Sequence, residues 1–199
     1  LDNTLYDYDK CHNIAIEEAY RRLKKHVDIS KPKFTKLFLK SRSEIHRGIE
    51  GTGSAHNRVL YFQRLVEKTH GMVEPRVILD LFDSYWDVFL KNMKPGKGVL
   101  DVLKHCKESG IKTAIVSDFT AYMQLRKMEK LGISKYVDVL VTSEEAGSEK
   151  PHPIMFLLAL NKLDLNPSDC VMVGDNSVAD VEGANLLGIE TVLLGRPSN

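Results

Sequence analysis

After Pro95-Gly96 the chain alternates short apolar runs with amphipathic segments, and few folds accept that pattern. Val99 to Ser109 reads as a helix stopped at Gly110, and Lys112 to Val116 as a strand. Ala121 to Leu131 is a helix stopped at Gly132, and Val137 to Val141 a second strand. Pro153 to Leu163 is a helix, and Cys170 to Val173 a third strand. Val178 to Leu187 is a helix stopped at Gly188, and Ile189 to Leu194 a fourth strand. This order predicts an α/β fold, a Rossmann-like parallel sheet with helices on both faces. Functional groups in such folds gather beyond the carboxyl ends of the strands.

Before Pro95 the pattern is helical throughout. Cys11 to His26, Phe34 to Ile49, Ala55 to Thr69 and Pro75 to Asn92 carry apolar residues at helical spacing, with a glycine-rich break at Gly51-Thr52-Gly53-Ser54. Stacked amphipathic helices of this kind make a small all-helical unit. The expected division is therefore residues 1–8 and 95–199 as the α/β core, with 9–94 as a helical insertion.

At 199 residues, the chain suits one ordinary domain or a core with an insertion. A net charge of +1 argues against nucleic acid or an acidic membrane as partner. The longest apolar run, Ile154 to Leu160, is far below membrane-spanning length, and the start does not read as a signal peptide. Cys11, Cys106 and Cys170 are odd in number and widely spaced, so neither a disulfide framework nor a zinc site is expected. Buried free thiols imply a reducing compartment, and the expectation is a cytoplasmic monomer or homodimer.

The groups that follow the strands can carry chemistry. Asp175 follows Val171-Met172-Val173-Gly174, with Asp180 five residues on. A carboxylate at a strand end suits a hard cation, and magnesium favours few carboxylates, several waters and a phosphate. The same Asp175 also reads as a helix N-cap, and Asp180 as a partner that holds ligands in place. Ser117, with backbone N–H groups where a helix begins, suits a phosphate oxygen, or is an ordinary cap. Lys150, kept out of helical geometry by Pro151, can offset charge on a carboxylate and a phosphoryl group, or be a solvated loop lysine. Asp2 can give and take a proton, and Thr4 can orient carboxylates; Asp-Asn-Thr also reads as a plain turn.

Taken together and in order, Asp2-Asn3-Thr4, Ser117, Lys150-Pro151 and Gly174-Asp175-Asn176 with Asp180 resemble the haloacid dehalogenase superfamily over nearly the whole chain. The resemblance implies a parallel α/β core with a small helical cap between the first two motifs. It implies Mg2+ as cofactor, held by the Asp2 carbonyl, Asp175 and Asp180. It implies Ser117, Asp118 and Lys150 around the phosphate, and Asp2, Ser117 and Lys150 as catalytic groups. Asp118 stands where many relatives carry Asn, and its charge would repel a phosphate unless it points away or pairs with a cation.

The family's nucleophile is an Asp two residues before the position of Asp2, which falls one residue before Leu1. The opening Leu1-Asp2-Asn3-Thr4 thus reads as a motif cut through its middle, and upstream residues are expected to be missing from this sequence rather than from the protein. A truncated binding or regulatory module is the alternative. Dehalogenases of the superfamily lack an acid at Asp2, because halide leaves without a proton. Asp2 therefore favours a phosphatase of a small phosphorylated metabolite, of the sugar phosphate, phosphoglycolate or nucleotide type, over a dehalogenase; a phosphosugar mutase stays open. For substrate choice the candidates are Arg47, His56, Asn57 and Arg58, flanking the glycine-rich break, though the arginines also read as surface helix residues.

Overall fold

The computed structural model describes residues 1–195. They form two compact units: Leu1–Asp7, Gly51–Gly53 and Lys94 onward in one, Tyr8–Glu50 and Ser54–Met93 in the other.

The second unit is helical: α1 (Tyr8–Leu23), α2 (Lys31–Gly48), α3 (Arg58–His70) and α4 (Pro75–Asn92). Pro sits in the first turn of α2 and of α4, where its missing N–H is no loss. Ala15 and Ala19 of α1 are fully buried, while α4 buries Leu81, Tyr85, Trp86 and Phe89 at helical spacing. Phe34, Phe38, Tyr61 and Phe62 add rings from α2 and α3. The result is an aromatic core with neighbouring rings edge to face, as between Tyr85 and Trp86 at 5.2 Å and 88°.

One histidine sits inside that core. His12 stacks on Tyr8 at 5.6 Å and shares a hydrogen bond of 2.8 Å between Nδ1 and the Tyr85 hydroxyl. Burial, then the guanidiniums of Arg58 and Arg42, push its pKa from 6.5 down to about 4. A buried histidine of this kind stabilises the fold fully only above its unfolded pKa. Stability should fall as pH drops from 6.5 toward 4, by on the order of 3 kcal/mol. Thermal melting across that range checks it: His12→Gln should flatten the slope, and an unaltered slope would exclude His12 as its source.

The first unit carries α5 (Val99–Glu108), β1 (Ala114–Ser117), α6 (Ala121–Leu131), β2 (Val139–Thr142), a one-turn α7 (Ser143–Ala146), α8 (Ile154–Leu163), β3 (Val171–Gly174), a one-turn α9 (Gly183–Asn185) and β4 (Glu190–Leu193). The fold is α/β, and every strand pairing is parallel, as the alternation predicts. The strands form two pairs, β1 with β2 and β3 with β4, with Ser117 opposite Thr142 and Gly174 opposite Leu193. α8, the most apolar run, buries Met155, Phe156, Ala159 and Leu160 against Val141, Ala184 and Ile189. Gly132 ends α6 in the left-handed region at φ 69°, where a side chain would be strained.

One element departs from expectation. Val178 to Leu187 is not one regular helix: Ser177–Glu182 forms a wide π-helical turn before α9. The Asn176 side chain accepts from the N–H groups of Val178 and Ala179, and the Asn176 backbone carbonyl accepts from the N–H groups of Asp180 and Val181. That polar anchor widens the first turn, and π-turns gather at functional sites. The three cysteines are free; Cys11 is buried, but Cys106 and Cys170 are only half-buried. Among the described residues, no helix is long and apolar enough to cross a membrane.

Candidate functional site

The Asp2–Thr4 turn is closed by a hydrogen bond of 2.9 Å from Leu5 N–H to the Leu1 carbonyl. Asn3 sits in the left-handed region at φ 56°, which Asn tolerates better than most residues. The turn presents the Asp2 carboxylate to Lys127 of α6, whose Nζ lies 2.8 and 2.9 Å from its two oxygens. The Tyr6 hydroxyl donates to Asp2 Oδ1 at 2.7 Å. Burial alone would raise the pKa of Asp2; Lys127, the Leu1 amino group and the Tyr6 hydroxyl reverse that and hold it at about 2. Without substrate, Asp2 is therefore held as a carboxylate by Lys127 and Tyr6.

Thr4 joins two of the expected groups. Its Oγ1 lies 3.3 Å from Asp175 Oδ1 and 3.5 Å from the Asp2 carbonyl oxygen. Asp175 arrives there because β3 ends at Gly174. A Cβ on Gly174 would lie 2.2 Å from Asp180 Oδ2, so only glycine fits beneath that carboxylate. Asp180 is buried, with Oδ1 2.7 Å from Lys150 Nζ and Oδ2 accepting from Asn176 N–H at 3.1 Å. Burial raises its pKa, and Lys150 with the Asn176 N–H more than offsets this, leaving it below the ordinary carboxylate value. Both oxygens of Asp180 are thus engaged in holding Lys150 and the turn after β3.

The Asp118 side chain is paired with Lys150. Its Oδ1 accepts from Lys150 N–H at 2.8 Å, and Oδ2 lies 4.0 Å from Lys150 Nζ. The carboxylate itself cannot donate a hydrogen to a phosphate oxygen, and it pairs with Lys150, the cation pairing that its position requires. Asp118 and Asp180 together fix both ends of Lys150.

Ser117 ends β1 and is 5% exposed. Gln124 Nε2 donates to Ser117 Oγ at 2.6 Å and to the Asp118 carbonyl at 2.8 Å. The serine oxygen accepts from Gln124, and its own hydrogen is donated to the Asp118 carbonyl at 3.4 Å, a long bond that an anion would have to replace. Phe119 follows at φ 104°, with its N–H fixed by Ser143 Oγ at 2.7 Å. The first N–H of α6, on Ala121, already donates to Glu144 Oε2 at 2.8 Å.

The four candidates in the helical unit separate. Arg47 is exposed and donates to the Ser43 carbonyl of its own helix at 3.4 Å. Asn57 caps α3, accepting from Val59 N–H at 3.0 Å. Arg58 is buried, donating to the Tyr8 hydroxyl and to the His56 carbonyl and lying over the rings of Tyr8, Tyr61 and Trp86. His56 packs edge-on against His46 at 4.8 Å. The Gly51–Gly53 break belongs with the α/β unit: Glu149 N–H donates to the Gly51 carbonyl at 3.1 Å, and a Cβ on Gly53 would lie 2.7 Å from Glu144 N.

Among the described residues, no three His, Cys, Asp or Glu side chains gather closely enough to hold a metal by themselves. The donors that Thr4 brings together, a carbonyl and a carboxylate, are all oxygen and few. That fits magnesium, which keeps several waters, better than zinc.

Residues 1–194 match the family described as haloacid dehalogenase-like hydrolase. The chain belongs to the haloacid dehalogenase-like hydrolase family. A ribulose-1,5-bisphosphate 5-phosphatase of Halopiger xanaduensis is 40% identical over 97% of this chain and 81% of its own length. A glyceraldehyde 3-phosphate phosphatase of Methanopyrus kandleri is 30% identical over 98% of this chain and 82% of its own. A solved haloacid dehalogenase-family phosphatase from Thermococcus onnurineus shares the fold with a TM-score of 0.74 at 24% identity, over 100% of this chain and 85% of that one.

Within this family member, the motif reading missed Lys127, Gln124 and Tyr6. One signal for Lys127 was present: spacing of four places it between Met123 and Leu131, on the apolar face of α6.

Proposed function

We propose that this chain hydrolyses a small phosphate monoester of the sugar-phosphate class, with Mg2+, through an aspartyl-phosphate. The observation that carries the reading is Thr4, whose hydroxyl spans the Asp2 carbonyl and the Asp175 carboxylate beside the held Asp2 side chain. The names of the curated relatives support the same class.

Mg2+ would be held by the Asp2 carbonyl and Asp175, with Asp180 acting through Lys150, and when bound would offset phosphoryl charge. Ser117 and Lys150 bind the phosphoryl oxygens. In the aspartyl-phosphate route that the family resemblance implies, a carboxylate nucleophile attacks phosphorus, and the ester P–O bond breaks as the new P–O bond forms. Asp2 gives its proton to the leaving oxygen; the substrate's negative charge favours the protonated carboxyl needed for that step. Water then attacks phosphorus, Asp2 takes back a proton, and inorganic phosphate leaves with the nucleophile restored. In the helical unit, Arg47 and Asn57 serve their own helices.

Protein with its natural N-terminus should release phosphate from p-nitrophenyl phosphate and from sugar phosphates when Mg2+ is present. A chelator should stop turnover and added Mg2+ restore it. Silence across a broad phosphomonoester panel would sink the reading.

A further inference from the structure

α6 turns two polar side chains inward, one turn apart: Gln124 is 0% and Lys127 1% exposed. On the same helix Tyr122 and Leu125 are 65% and 55% exposed. Burying a lysine and a glutamine while exposing a leucine and a tyrosine opposes the hydrophobic preference, so the inward groups must be held by specific partners. Those partners are Ser117 for Gln124, and Asp2 for Lys127. The Lys127 ammonium also lies 6.0 Å from the Tyr6 ring and 5.8 Å from the Phe119 ring, which confine it from two sides.

We infer that Lys127 is a positioning residue for the hydrolytic reaction, fixing both carboxylate oxygens of Asp2 so that Asp2 faces the ester oxygen and then the water. The inference rests on the phosphatase reading. A carboxylate on a short turn has free rotation about its side chain; a two-oxygen ion pair with a buried ammonium, together with the Tyr6 hydroxyl, removes it. Lys127 touches no substrate atom in this reading and acts only through Asp2. Gln124 does the parallel task for Ser117, so one helical face sets both groups.

The test is a double-mutant cycle on protein with its natural N-terminus, using p-nitrophenyl phosphate. Lys127→Met should lower kcat roughly 10- to 100-fold, the scale of a misplaced reacting group, with KM changed less than about 3-fold. Asp2→Asn and the double variant Asp2→Asn with Lys127→Met should have the same kcat within about 3-fold, because a residue acting through Asp2 has nothing left to position. A native kcat in Lys127→Met, or losses that multiply in the double variant, would overturn the inference. Should Lys127→Met not fold, the double variant, which buries no unmatched charge, is compared with Asp2→Asn protein whose melting shows it folded, and that comparison decides. Inactive native protein would instead reject the phosphatase reading itself.

Discussion

Replacing Asp2 by Asn should slow turnover by about 10²–10⁴-fold, the span that acid–base catalysis contributes. Asn keeps the shape of the side chain and its backbone carbonyl, so the oxygen facing Thr4 survives while the exchangeable proton does not. The loss should depend on the leaving group. An alkoxide needs a proton to depart, whereas p-nitrophenolate does not, so alkyl phosphates should suffer more than p-nitrophenyl phosphate. The substitution also strips Lys127 of its carboxylate, which lies 2.8 and 2.9 Å away, and some loss of melting temperature is expected. Kinetics on folded protein separates the two effects. Equal slowing of alkyl and aryl esters would remove Asp2 from the acid role, and an unchanged rate would remove it from proton transfer altogether.

The sequence carried the strands well because each is a short apolar run closed by a polar residue at its carboxyl end. Ser117, Thr142 and Gly174 mark those ends directly. Asp2, Ser117, Lys150 and Asp175 stand out as candidates in the sequence because each follows a strand or a turn. It could not carry what depends on side chains meeting across the chain. Lys127 lies 125 positions from Asp2, and nothing local announces the pair. Asp118 reads as a hazard to phosphate until Lys150, 32 positions on, is seen to donate to it. The wide turn at Ser177–Glu182 depends on one asparagine side chain that competes with regular helix for backbone N–H groups. The Gly51-Thr52-Gly53 break reads as part of the helical insertion because it lies between helices, yet its backbone is held by Glu149.

Asp180→Asn should destabilise the fold by about 3–5 kcal/mol, the usual cost of breaking a buried ion pair from one side. Asp180 and Lys150 side chains are 5% and 9% exposed with 2.7 Å between charged atoms, so solvent screens them little. The amide fills the same space beneath Gly174, where a Cβ would lie 2.4 Å from Asp180 Cγ, so packing changes little and the lost charge is isolated. At roughly 2–4 °C per kcal/mol for a chain of this size, the melting temperature should drop by about 6–20 °C. Removing a surface pair gives the contrast: Lys104→Ala breaks a 3.7 Å contact with Glu108 whose side chains are 60% and 66% exposed, and should change stability by less than about 1 kcal/mol. Acid provides a second reading of the same pair. The Asp180 carboxylate is held below its ordinary value of 3.8, so its stabilisation is present above that pH and is lost as pH falls through the folded value. The Asn variant should therefore lose less of its remaining stability than the native chain between pH 4 and pH 2. Because Lys150 would also lose its anchor, the proposed phosphoryl-binding role of Lys150 implies that kcat should fall together with stability. A variant with native melting and native turnover would show that Asp118 alone is enough to hold Lys150.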